Sequence, residues 1–134
     1  MNEFDQKARE WDQNRLHIER TQAVAKMIRE RIPLTATMKG LEFGAGTGLL
    51  SFELKDDLGS ITLIDTSQEM LKMAEAKTAP GEKGKIRTVW FDLEKEDYRE
   101  ATFDVIFTQM VLHHVVNVSL VLERFKDMLE PGGY

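Results

Sequence analysis

The stretch LEFGAGTG, residues 41–48, decides the fold that we predict for this chain of 134 residues. It leads from residues 41–43, which we expect to be the end of a strand, to a segment with helical periodicity at residues 49–54. Between them stand three glycines at alternate positions: Gly44, Gly46 and Gly48. Glycine allows a tight turn and a close approach of the backbone to a ligand, and the start of a helix offers free N–H groups to an anionic group. The stretch therefore predicts a strand, a ligand-binding loop and a helix.

Strand and helix patterns alternate after this loop. Residues 61–64 form a short apolar run, and Thr66 followed by Glu69 predicts a capping box at the start of the next helix. Residues 86–91 are rich in β-branched and aromatic side chains, as strands are. Residues 103–107 are almost continuously apolar, which is typical of a strand buried on both faces in a parallel sheet. The alternation predicts an α/β fold.

Both ends of the chain add helices. Residues 2–32 have helical periodicity, and we expect two helices there, with a break near Gln13-Asn14 and an end at Pro33. A last helix is expected to end at the Pro-Gly-Gly sequence 131–133.

The composition fits one globular domain. Hydrophobic residues make up 42% of the chain and charged residues 31%, and the length suits a single core of modest size. We expect residues 1–36 to form an N-terminal helical lid and residues 37–134 to form the core of that domain.

The charge balance narrows the classes of partner. A formal net charge of −5 gives no broad positive field for a nucleic acid, so we expect a small-molecule substrate and no nucleic-acid partner. The chain has no cysteine, residues 1–10 lack the apolar region of a signal peptide, and no apolar run approaches the ~18 residues that span a bilayer. We therefore expect a cytoplasmic protein with no membrane partner.

LEFGAGTG resembles the first motif of the class I S-adenosylmethionine-dependent methyltransferases. Residues 103–107 leading into residues 112–115, and then residues 129–133, are similar to later motifs of the same family. Phe4-Asp5 and Trp11-Asp12 resemble the N-terminal helix of its small-molecule branch, which includes ubiquinone-biosynthesis-like enzymes. The resemblance implies a Rossmann-like three-layer sandwich, with a mostly parallel sheet in strand order 3-2-1-4 and the N-terminal helices packed on it.

The resemblance also implies roles for individual residues. Asp65, after the second strand, matches the acidic residue that binds the ribose hydroxyls, and Asp92 matches the residue that meets the adenine amino group. Glu42 would bury a charge, so we expect a polar partner for it or the methionine end of the cofactor. The implied cofactor is S-adenosylmethionine, with S-adenosylhomocysteine as product. The full set of expected cofactor-binding residues is Glu42, Gly44, Ala45, Gly46, Gly48, Asp65, Thr66, Met70, Asp92, Leu93 and Gln109.

Two adjacent histidines, His113 and His114, are the candidate catalytic residues. We expect them on a strand, where adjacent side chains point to opposite faces, so they cannot easily share a metal ion. No carboxylate cluster stands near them in sequence, and no metal is expected. Packing at the strand end is the alternative role for the pair. His17, on an early helix, is expected on the surface.

Two other functions stay open at this point. One is a cofactor-binding or regulatory module without turnover. The other is a nucleotide-dependent oxidoreductase, which Leu49 disfavours because the dinucleotide fingerprint would need its third glycine there. Binding of S-adenosylhomocysteine rather than NAD would distinguish a methyltransferase from the oxidoreductase. Turnover of labelled cofactor would distinguish a methyltransferase from the binding module.

The C-terminus departs from the family pattern. The family continues past its Pro-Gly-Gly turn into three more strands, whereas this sequence stops at Tyr134. We therefore expect a truncated domain, with the apolar fourth strand at an open sheet edge that favours association of two copies. On this view cofactor binding and turnover should separate, because part of the acceptor pocket would lie beyond residue 134.

Overall fold

The computed structural model describes residues 3–134, with side chains from residue 9 onward and at Gln6. Asn2, where the sequence predicts the start of the first helix, and the side chains of Phe4 and Asp5 lie outside the described part. The helices are α1 (Glu3–Gln13), α2 (Arg15–Arg31), α3 (Leu49–Leu54), α4 (Gln68–Lys77) and α5 (Val118–Met128). The strands are β1 (Lys39–Phe43), β2 (Ser60–Asp65), β3 (Ile86–Trp90) and β4 (Val105–Phe107).

All four strands are parallel and lie in the order β3-β2-β1-β4. In the register, Leu41 of β1 stands opposite Thr62 of β2 on one side and Ile106 of β4 on the other. The predicted strand order is confirmed. Because the order reverses at β1, a crevice opens at the carboxyl end of this strand, which is where open α/β sheets bind ligands.

Side chains of the sheet alternate between two apolar layers. Leu41 and Phe43 face the layer that contains α5, where the rings of Phe43 and Phe125 meet edge to face at 5.3 Å. Ile61 and Leu63 face the opposite layer, which is built from α2, α3 and α4. Helices on both faces make the three-layer sandwich that the sequence predicts.

The helix break near residue 14 is confirmed and has a local cause. Asn14 is the N-cap of α2, and its side-chain oxygen accepts hydrogen bonds from the backbone N–H groups of Leu16 and His17. At the other end, Pro33 disfavours helical geometry at Ile32, which is extended, so α2 ends at Arg31.

Two predicted boundaries are wrong. Helix α4 is capped by Ser67 and not by Thr66, because the Ser67 hydroxyl accepts the N–H of Met70 at 3.3 Å. The strand predicted at residues 103–107 is regular only from Val105, since Phe103 pairs with the chain that leaves α5.

The outer edge of β4 is not fully open, which corrects the expectation that this strand lies at an open sheet edge. The N–H of Ile106 donates to the carbonyl of Tyr134 at 2.8 Å, and the N–H of Tyr134 donates to the carbonyl of Asp104 at 2.9 Å. The turn at residues 131–133 brings the chain back along this edge. Association of two copies through the edge stays a prediction.

Between residues 3 and 134, no helix combines the length and the apolar character needed to cross a membrane.

Candidate functional site

Two cavities lie at the carboxyl ends of the strands. The first, of about 160 Å³, is lined by the glycine loop, by Glu42, by residues 109–111 and by side chains of α1 and α2. The second, of about 350 Å³, is lined by the ends of β2 and β3 together with His114 and Val115. Gly44 and Val111 line both cavities. The crevice is therefore a site with two compartments and a shared partition.

The three glycines of the loop all have left-handed backbone, with φ of 65° at Gly44, 58° at Gly46 and 82° at Gly48. A Cβ on Gly44 would stand 2.5 Å from Val111, and one on Gly48 would stand 2.7 Å from Leu63, so packing forbids a side chain at both. A Cβ on Gly46 would meet no atom within 4 Å. Gly46 thus leaves open space beside the first cavity, as a ligand would require.

Glu42 is a buried carboxyl group in the wall of the first cavity, only 4% exposed. Its Oε1 accepts hydrogen bonds from the backbone N–H of Ser51 at 3.1 Å and from the Ser51 hydroxyl at 2.6 Å. Burial raises the pKa of Glu42 from 4.5 to about 8, although both bonds from Ser51 act in the opposite direction. No donor among the described residues reaches Oε2, which leaves this oxygen for a ligand. The expected polar partner is confirmed.

Asp65 ties the glycine loop to the end of β2. Its Oδ2 accepts the N–H of Gly46 at 2.8 Å, and its Oδ1 accepts the N–H of Ser67 at 2.7 Å. Each oxygen of a carboxylate has a second lone pair. Asp65 lines the second cavity, so it can hold the loop and still accept hydrogen bonds from a ligand there.

Asp92 lies across the second cavity from the loop, directly after β3. Its Oδ1 accepts the N–H of Glu94 at 3.0 Å, which fixes the turn that carries it. Leu93, which also lines this cavity, is 1% exposed and belongs to the core. The second cavity is therefore lined by three acidic residues, Asp65, Asp92 and Glu94, and has an apolar floor.

The N-terminal helices supply a wall of the first cavity. Trp11 and His17 line it with their rings 3.6 Å apart, and Arg20 and Thr21 continue the wall along α2. The Thr21 hydroxyl donates to Oε1 of Gln109 at 3.4 Å, which joins this wall to the end of β4. His17, expected on the surface, is partly exposed, and its ring packs on that of Trp11 in the cavity wall.

The segment after β4 departs from strand geometry. Met110 has a φ of 60°, and Gln109, Met110 and Val111 all line the first cavity. In a regular strand these side chains would alternate between faces. His113 and His114 then fall in a 3-10 turn with their rings 3.9 Å apart, so the expected placement on a strand with opposed faces is wrong.

Most of the predicted residues come together in the two compartments. The first cavity contains Glu42, Gly44, Ala45, Gly46, Met70 and Gln109. The second contains Gly44, Asp65, Thr66, Asp92, Leu93 and His114. Gly48 and His113 line neither cavity. Sequence reasoning missed the wall residues Trp11, Arg20, Thr21 and Val111, whose approach to the loop depends on contacts distant in sequence, and it also missed Thr47 within the loop itself.

Within the described part of the chain, no group of three or more histidine, aspartate or glutamate side chains is arranged to hold a metal ion.

Residues 41–134 match the family described as a methyltransferase domain. The hybrid PKS-NRPS synthetase pydA of Acremonium sp is 30% identical over 118 residues, which cover 83% of this chain and 3% of the synthetase. An uncharacterized methyltransferase of Mycobacterium bovis is 28% identical over 102 residues, covering 76% of this chain and 50% of that protein. An S-adenosylmethionine-dependent methyltransferase structure from Clostridium acetobutylicum has the same fold, with a TM-score of 0.75 at 21% identity, over 98% of this chain and 55% of that one. This chain thus spans about half the length of the methyltransferases from Mycobacterium bovis and Clostridium acetobutylicum.

Proposed function

We propose, because this chain belongs to the methyltransferase domain family, that it transfers a methyl group from S-adenosylmethionine to a small-molecule acceptor. S-adenosylmethionine is the cofactor of the family, and it is an elongated molecule with an amino-acid end and an adenosine end. The observation that carries the proposal is the pair of compartments that meet at Gly44 and Val111.

The chemistry of the two compartments fits the two ends of this cofactor. An ammonium group beside the free Oε2 of Glu42 in the first cavity would favour the ionised form of this carboxyl, which then accepts its hydrogen bond, and the exposed guanidinium of Arg20 suits a carboxylate. Asp65 and Asp92 in the second cavity can accept hydrogen bonds from ribose hydroxyls and from an adenine amino group. The open space at Gly46 leaves room for the part of the cofactor that connects its two ends.

When bound, the cofactor supplies a methyl group on a sulfonium, which an acceptor electron pair attacks while the carbon–sulfur bond breaks and its electrons remain on sulfur. The protein contributes by positioning the two reactants in line. The wall formed by Trp11, His17 and Met110 lies at the mouth of the first cavity, where it can orient an acceptor and exclude water. No covalent intermediate with the protein is needed.

A general base is useful only when the acceptor atom carries a proton. We keep His113 and His114 as the candidates. His114 is the better placed, since it lines the second cavity, whereas His113 lines neither. Substitution of each by glutamine, with kcat measured from pH 5 to 9 in steps of about one unit, tests the role, because a base that has to be deprotonated confers an acid limb on the profile. Loss of that limb in His114→Gln alone would support it.

A small-molecule acceptor is supported by the size of the first cavity and by the net charge of −5, which gives no positive surface for nucleic acid. The rival is a module that binds the cofactor without turnover. A cytoplasmic location fits either function.

One experiment separates these functions. The chain is titrated calorimetrically with S-adenosylhomocysteine and with NAD, and is then incubated with methyl-labelled S-adenosylmethionine and a cell extract split by size. We expect this chain to bind S-adenosylhomocysteine alone. Because it spans about half the length of the methyltransferases that it matches, transfer is also assayed on a version lengthened at its C-terminus to their size, and there we expect label in the small-molecule fraction. Label in protein or RNA would contradict the acceptor class, binding without any transfer would favour the module, and binding of NAD alone would overturn the proposal.

A further inference from the structure

Asp12, near the end of α1, contacts groups from two other elements. Its Oδ1 accepts a hydrogen bond from the hydroxyl of Thr47, and its Oδ2 lies 3.0 Å from Nζ of Lys77. Thr47 is part of the glycine loop, and Lys77 is the last residue of α4. A single carboxylate therefore joins α1 to the ligand-binding loop and to the helix that follows β2.

These contacts are shielded from water. The side chains of Asp12 and Lys77 are 18% and 29% exposed, and Thr47 is 2% exposed. Nζ of Lys77 also stands 4.9 Å from the centre of the Phe52 ring. Ion pairs with this degree of burial are screened less than pairs at the surface, so Lys77 acts together with the hydrogen bond from Thr47 to hold Asp12.

The residue before Asp12 belongs to the wall of the first cavity. Trp11 lines this cavity and packs on His17, and the backbone carbonyl of Trp11 lies 3.3 Å from Nδ1 of His17. Because Trp11 and Asp12 lie on the same helical turn, any displacement of Asp12 from the loop also displaces the Trp11 ring. The contact with Thr47 thus sets the shape of the cavity mouth.

We propose that Asp12 is a positioning residue that couples ligand binding at the glycine loop to the docking of α1, so that the bound cofactor and the docked Trp11 wall stabilise each other. The inference rests on the proposed function, since it takes S-adenosylhomocysteine as a ligand of the loop. A ligand that orders Thr47 favours docked α1, and docked α1 must favour the ligand to the same extent. The acceptor would then meet a more firmly held wall in the complex with the cofactor.

Amide hydrogen exchange on the full chain, with and without S-adenosylhomocysteine, tests this coupling. We expect the ligand to slow exchange in α1 and in the loop of the unaltered protein by about ten-fold or more. In Asp12→Ala the loop should still be slowed, whereas α1 should no longer respond. Asp57→Ala is the matched control, because Asp57 also joins two elements, through an ion pair with Arg29 at 2.9 Å, but lines neither cavity.

A second variant keeps the test valid if Asp12→Ala does not fold. Thr47→Val removes the hydroxyl and keeps the shape of the side chain, and it should uncouple α1 in the same way. The double variant should respond as Asp12→Ala does, because Asp12→Ala already breaks the contact with Thr47 together with the ion pair to Lys77. Equal slowing of α1 in Asp12→Ala and in the unaltered protein would overturn the inference while leaving the proposed function intact. The absence of slowing anywhere would overturn both.

Discussion

The backbone N–H of Gly46 donates a 2.8 Å hydrogen bond to Oδ2 of Asp65. This bond closes the glycine loop onto the end of the neighbouring strand, so one carboxylate serves both the loop and the second cavity. Loss of Asp65 would therefore loosen the first compartment as well as remove an acceptor from the second.

We expect Asp65→Ala to weaken binding of S-adenosylhomocysteine by about 1.5–3 kcal/mol, the range for hydrogen bonds to a charged group. Calorimetry measures the loss. To separate the ribose contact from the loop contact, the same titration is run with the 2′-deoxy analogue.

The unaltered protein should prefer the ribose form, and Asp65→Ala should have lost much of that preference. Asp57→Ala removes a carboxylate that lines neither cavity, so this variant should bind S-adenosylhomocysteine as the unaltered protein does. An undiminished preference for ribose in Asp65→Ala would show that Asp65 acts on the loop alone.

Gly46→Ala should fold and yet bind poorly. A Cβ there has no protein atom within 4 Å, so the fold loses only the cost of left-handed backbone, about 1–2 kcal/mol. The same methyl group would occupy space that we assign to the ligand. We expect an affinity for S-adenosylhomocysteine lower by about ten-fold or more, which corresponds to at least 1.4 kcal/mol.

Gly132→Ala is a closely matched control for this change. Gly132 has a φ of 80° and equally open surroundings, but it lies in the turn after α5, away from both cavities. Urea unfolding should show similar destabilisation of the two variants, and only Gly46→Ala should lose affinity. Equal affinities would mean that Gly46 is needed only for the turn.

Glu42 should make the folded state less stable as the pH rises. In the unfolded chain this carboxyl ionises near 4.5, whereas burial raises its pKa in the folded chain to about 8. Between these values the folded state holds one more proton, so its free energy of unfolding falls with pH by up to about 1.4 kcal/mol per unit. Glu42→Gln should lack this contribution, because an amide does not titrate.

The check is urea unfolding of both proteins at pH 5, 6, 7 and 8, values spaced by about one unit to sample that slope. The difference in stability between Glu42→Gln and the unaltered protein should grow in favour of the variant up to pH 8. Glu30→Gln, a change at an exposed side chain, should follow the unaltered protein. Parallel profiles for Glu42→Gln and the unaltered protein would contradict a raised pKa at this position.

Asp92 should recognise the amino group of adenine. An ionised carboxylate only accepts hydrogen bonds, so the unaltered protein should disfavour S-inosylhomocysteine, which presents an oxygen at that position. In Asp92→Asn the side-chain amide can donate, and the preference for adenine should shrink or reverse. Competition binding with the two ligands measures this, and an unchanged preference would remove Asp92 from adenine recognition.

Features held in short stretches of sequence were predictable. The residues 41–48 specify their own strand end, loop and following helix, because the glycines have to adopt φ values that other residues avoid. The alternation of strand and helix patterns likewise predicted the α/β fold, and the family resemblance implied the strand order. The start of a helix was predicted wrongly where two adjacent residues could both act as its N-cap: Ser67 and not Thr66 caps α4.

The parts that were missed depend on contacts between distant residues. The wall of α1 meets the loop through Asp12 and Thr47, which are 35 residues apart, and no periodicity in either segment reports this contact. The turn at His113 and His114 follows from the left-handed backbone of Met110, a conformation that a methionine does not signal in sequence. The sequence therefore predicts the part of the site at the strand ends more accurately than the wall that the N-terminal helices supply.

The contact of Gly44 with Val111 gives protein engineers a way to change what the site accepts. The two residues form the partition between the compartments, and Val111 fills the space in which a side chain on Gly44 would stand. Trimming Val111 to alanine would widen the passage where the proposed sulfur lies without disturbing Glu42 or Asp65. A widened passage could admit synthetic cofactors that carry an allyl or propargyl group in place of methyl, turning the domain into a reagent for tagging its own acceptors.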